Sequence, residues 1–158
     1  MKKITRRNMV AAIGTAGAGT CVCGINSGCS SFSKVGKTPA IPAGAYAVGK
    51  DTLSIDLSKV PQLAKVGGAV KIIDQKLSDC LIVARTGEEE FAVVSLLCTH
   101  RGCEVEYQHV NNEFRCASLG HSKFKTDGSK IKGFAKGPLK KYLVSFDPAV
   151  KDRLVVTI

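Results

Sequence analysis

Two short segments constrain this chain more than any other feature: CTHRGC, from Cys98 to Cys103, and CASLGH, from Cys116 to His121, with twelve residues between them. Two of the chain's three histidines stand in these segments beside cysteines. Thiolate and imidazole side by side are soft and borderline donors that suit iron-sulfur clusters or zinc. A single metal group requires both segments to reach one place. The residues between them are patterned for that, because EVEY and EFRC flank the polar QHVNN and read as a hairpin ending at Cys116.

The rest of the chain is strand-like too. At 158 residues it holds one domain and a tail. Tryptophan is absent, aromatics make up 6% and glycine is frequent, which suits short strands joined by tight turns. From Ala45 onward, YAVGK, TLSIDL, GAVKIID and CLIVAR are short apolar runs divided by Gly, Pro or Asp, and TGEEE makes a turn before FAVVSLL. SKF follows His121 as another short strand, KTDGSKIKGFAKGPLKK reads as loop, and YLVSFD and RLVVTI close the sheet. SKVPQLAKVGG supplies at most one helical turn. The expected class is all-β, a small antiparallel sandwich with the metal loops launched from strand ends.

The N-terminus sets the compartment. TRRNMV places Arg6 and Arg7 ahead of an uncharged Ala/Gly-rich run reaching Ile25, which resembles a twin-arginine export signal. NSGCSS follows, with small residues before Cys29, as at a lipoprotein attachment site. Residues 1–29 are therefore read as a leader or anchor, with Cys29 the candidate for lipidation, and Cys21 and Cys23 belong to that leader. Residues 30–44, SSFSKVGKTPAIPAG, read as a flexible linker. The expected location is the extracytoplasmic face of the membrane, with the domain tethered there. The formal charge is +10; setting aside residues 1–28 leaves 19 basic against 13 acidic residues. A basic domain favours acidic partners or anionic surfaces. Nothing in the chain matches a nucleotide-binding loop, a hydrolytic triad or a nucleic-acid motif.

Cys98, His100, Cys116 and His121 make a set of two thiolates and two imidazoles. In a β-rich setting this resembles the Rieske [2Fe-2S] domain, in which each of two loops gives one Cys and one His, the cysteines binding one iron and the histidines the other. The resemblance runs from Ala45 to Ile158, with the cluster-binding part at about 96–141, and CTHRGC matches the first loop throughout, Gly102 serving the turn. GPLKKY, residues 137–142, resembles the third loop, in which Pro138 would cover the cluster. The second loop departs from the family. There Cys, two residues and His-Gly-Ser are usual, whereas here four residues precede His121 and the order is Gly-His-Ser. Counted from Cys116, Leu119 takes the histidine's place; counted back from SKF, Gly120 does; His121 is the available imidazole, and loops absorb insertions cheaply. Many family members bridge the cysteine at position 103 to the second loop, but Ser118 stands where the partner is expected, which leaves Cys103 a thiol outside any disulfide.

The resemblance also assigns the residues that tune the potential. Ser122 keeps a hydroxyl donor toward sulfur, while Phe124 replaces a tyrosine and offers none. Fewer donors and no disulfide imply a potential in the lower or middle part of the range of about −150 to +300 mV. The implied function is one-electron transfer, either as the iron-sulfur subunit of a membrane quinol:cytochrome oxidoreductase or as an exported relay. The implied partners are cytochrome b- or c-like proteins and a quinol hydrogen-bonded to His100 or His121. The alternatives are a structural zinc domain on the same four residues and a binding module without a cluster. Lysines 123, 125, 130, 132, 136, 140 and 141 gather around the second and third loops, where they would steer an acidic partner.

Overall fold

The computed structural model describes residues 35–150 and 152–158. The expected leader, with Cys21, Cys23 and Cys29, lies outside the described residues. Among those described there are eleven strands: β1 (Tyr46–Val48), β2 (Thr52–Asp56), β3 (Ala69–Ile72), β4 (Leu81–Arg85), β5 (Phe91–Ser95), β6 (Val105–Gln108), β7 (Glu113–Cys116), β8 (Lys123–Lys125), β9 (Lys130–Lys132), β10 (Lys141–Phe146) and β11 (Arg153–Thr157). All strand pairings are antiparallel, in a seven-stranded sheet ordered β1-β2-β11-β10-β5-β4-β3 and a four-stranded sheet ordered β6-β7-β8-β9. No described helix is long and apolar enough to cross a membrane. SKVPQLAKVGG forms two short 3-10 turns, Leu57–Lys59 and Pro61–Leu63, the first capped by the Asp56 carboxylate accepting from Ser58 N–H.

The central strands explain the two-layer build. Leu81, Ile82, Val83 and Ala84 are all buried, so β4 needs cover on both faces. Side chains alternate along a strand, and the two faces go to different cores. Leu81, Val83 and Val93 pack with Leu53, Ile55, Leu154 and Val156, as the long sheet curls over on itself. Ile82, Ala84 and Val94 face the other way and pack with Val105, Phe114 and Phe124 of the smaller sheet. Cys98, Cys103 and Cys116 belong to this second core, so the fold that joins the sheets also fixes the thiols.

Two features differ from the sequence reading. Lys130–Lys132, expected as loop, is an exposed edge strand, β9, paired with β8; its Lys-Ile-Lys pattern carries no apolar face to betray it. The stretch expected as linker is laid against the domain from Gly36 onward. Gly36 N–H donates to Glu104 Oε2 at 2.8 Å, Lys37 N–H donates to Glu106, and Ala40 bridges Lys71 of β3 in parallel. Backbone groups paired in this way are not those of a free tether.

Candidate metal centre

β5 ends at Ser95, and the chain then turns tightly through Cys98–Cys103. Cys98 N–H donates to Cys103 O at 2.8 Å and Gly102 N–H donates to Cys98 O at 3.0 Å. Gly102 sits at φ +67 with open space around it, so its left-handed backbone, not crowding, calls for glycine. Cys116 closes β7, with its N–H donating to Ser122 O at 2.8 Å, and Ala117 N–H donates to Glu104 O at 2.9 Å, which ties the second loop to the first. The third loop is latched as well. Thr99 Oγ1 donates to Gly137 O at 2.9 Å and accepts from Gly137 N–H at 3.2 Å. This places exposed Pro138 beside the first loop.

Cys98, His100 and Cys116 converge here, each offering one donor atom, with all three atoms within 4.8 Å of one another. Cys98 and Cys116 are 2% and 1% exposed, His100 is half-buried, and Cys98 Sγ lies 3.8 Å from His100 Nδ1. Burial pushes the Cys98 thiol up to about 11; the His100 N–H and the Ser122 hydroxyl oppose this, and the adjoining Cys116 thiol adds to it. Cys116 Sγ donates to Ser118 Oγ at 3.2 Å. Two buried thiols against one half-buried imidazole are the donor chemistry of an iron-sulfur or zinc group, whose binding displaces the thiol protons.

His121, expected as the fourth donor, is not brought into this group. It is exposed, its backbone is left-handed at φ +39, and its Nδ1 lies 3.4 Å from Cys116 O. Its neighbours across a surface cavity are Val35, Lys37 and Glu106, on a different cavity from the one His100 lines. The reversed Gly-His order accounts for this, because it puts the imidazole on the residue that takes the left-handed turn. Ser122 is fully buried, with its hydroxyl toward Cys98 and its Oγ accepting from Ala135 N–H at 3.0 Å, and Phe124 is buried opposite Phe114. None of Cys80, Cys98, Cys103 and Cys116 is in a disulfide. The sequence reading missed Phe134, an exposed ring 6.5 Å centroid to centroid from His100. It lies in a Gly- and Lys-rich stretch with no periodicity to single it out.

Comparison with known proteins assigns these features to a family. The family model for the Rieske [2Fe-2S] domain matches residues 55–143. Among solved structures, the plasma membrane Rieske protein PetC3 from Synechocystis PCC 6803 is 24% identical with a TM-score of 0.47, over 57% of this chain and 86% of that one. The ferredoxin of carbazole 1,9a-dioxygenase from Nocardioides aromaticivorans IC177 is 22% identical with a TM-score of 0.49, over 61% and 88%. No curated protein sequence matches the chain.

Proposed function

Because the chain belongs to the Rieske [2Fe-2S] domain family, we propose that it is a one-electron carrier of an exported, membrane-tethered redox system, passing electrons between a quinol or a protein donor and a cytochrome-like acceptor. The observation that carries this reading is the convergence of two buried thiols and a half-buried imidazole at the ends of adjacent strands. When bound, the cluster supplies a single-electron redox centre. Cys98 and Cys116 would hold the buried iron as thiolates, and His100, which lines a cavity open to solvent, would hold the outer one and lie nearest a partner. Ser122 would direct its hydroxyl at the Cys98 sulfur and stabilise the reduced, more negative state. A quinol hydroxyl would reach His100 through the cavity bordered by Phe134. The leader reading, with Arg6 and Arg7 for export and Cys29 for lipid attachment, supports the tethered location.

The test is anaerobic purification of the full chain. Equal iron and acid-labile sulfide, visible colour and a rhombic low-field electron resonance signal after reduction are expected, all lost in Cys98→Ser. Colourless protein that holds zinc, or no metal at all, would overturn the proposal. Export is tested by Arg6→Lys with Arg7→Lys, which should leave the protein in the cytoplasm.

A further inference from the structure

The second loop presents its side chains to two different sides. Leu119, Gly120 and Ser118 share a cavity with His100 and Phe134, whereas His121 borders another with Lys37, Glu106 and Cys116. A Cβ at position 120 would lie 2.6 Å from Phe134 Cδ2, so a side chain there would require the exposed Phe134 ring to shift. The exposed Phe134 ring thus lies over Gly120 and near His100. Moving His121 across requires opening the turn closed by its N–H bond to Ser118 O at 3.0 Å and shifting the ring that lies over Gly120. Leu119, by contrast, is 82% exposed and already faces the His100 cavity.

We infer that His100 is the single imidazole this chain offers the cluster and that His121 is no ligand. The inference rests on the functional reading above and departs from the family's two-histidine pattern.

Pulsed electron resonance on the reduced, loaded full-length protein counts the nitrogens strongly coupled to the cluster. One coupled nitrogen is expected in the unaltered protein and in His121→Ala, with cluster content and reduction potential unchanged by that substitution, and two in Leu119→His. Two nitrogens in the unaltered protein, with one or the whole cluster lost in His121→Ala, would overturn the inference while leaving electron transfer intact. A Leu119→His variant that keeps one nitrogen would overturn the assignment of that face. Iron-free protein would overturn both this inference and the reading beneath it.

Discussion

Ser122 serves two neighbours at once. Its Oγ accepts from Ala135 N–H at 3.0 Å, which leaves the hydroxyl proton for the Cys98 sulfur. A donor aimed at sulfur favours the added electron, so its removal should lower the reduction potential. A hydrogen bond of roughly 1 kcal/mol net corresponds to on the order of 40 mV for one electron. Ser122→Ala is therefore expected to lower the potential of the loaded protein by about that amount in a redox titration, and an unchanged value would exclude the contact. The same substitution orphans the buried Ala135 N–H and should cost roughly 1–3 kcal/mol of stability in denaturant unfolding. The fully buried Phe124 carries no hydroxyl to compensate.

At the scale of strands, β10 is held to the β3–β4 connection by Tyr142, whose hydroxyl donates to Asp79 Oδ2 at 3.1 Å. Burial first, then the Asp79 charge, raises the Tyr142 pKa well above its ordinary 10.0. A raised pKa means the folded chain keeps a proton that the unfolded chain gives up. The stabilisation is thus complete below about pH 10 and is lost as pH climbs toward the folded value. Tyr142→Phe should cost roughly 1 kcal/mol at neutral pH and flatten the alkaline loss of stability, as read by denaturant midpoints from neutral to strongly alkaline pH. An alkaline slope identical to that of the unaltered chain would remove Tyr142 from the account. Legibility in the sequence followed the same element-level physics. β4 and β5 were readable because apolar residues on both faces leave a strand nowhere but the interior. β9 was not, since all three of its residues are exposed, and neither was the packed segment from Gly36, whose partner Glu104 is 68 residues away. At the candidate metal centre, residue types pointed to Cys98, His100 and Cys116, which the fold brings within reach of one another. The direction of His121 was set by a backbone angle that no count of spacing reveals.

Among the described residues, an ion pair links the two sheets. Lys71 of β3 meets Glu104, just ahead of β6, at 2.9 Å, with side chains only 12% and 11% exposed. Removing one partner strands the other charge, so Glu104→Ala should cost roughly 3 kcal/mol, whereas Lys71→Met with Glu104→Leu should cost less, mainly the lost acceptor of the Gly36 N–H. Denaturant unfolding of both variants checks this; equal losses in the two would mean that the pair's charge is not what matters. The same domain carries exposed lysines at 125, 132, 136, 140 and 141, in the part of the chain that follows the second loop. Lys123, expected to join them, is half-buried and paired with Glu113. The remaining field should draw anions toward the centre, and salt should screen it once the Debye length falls to a few ångströms. Oxidation of the reduced protein by ferricyanide is therefore expected to slow by roughly tenfold between about 10 mM and about 0.5 M salt. Oxidation by a cationic cobalt complex should accelerate over the same range. Lys132→Glu combined with Lys136→Glu should shrink both slopes without moving the potential measured at high salt, because those ammonium groups act on the approaching reagent and not on the sulfur. A ferricyanide rate indifferent to salt would show that the basic face plays no part in steering.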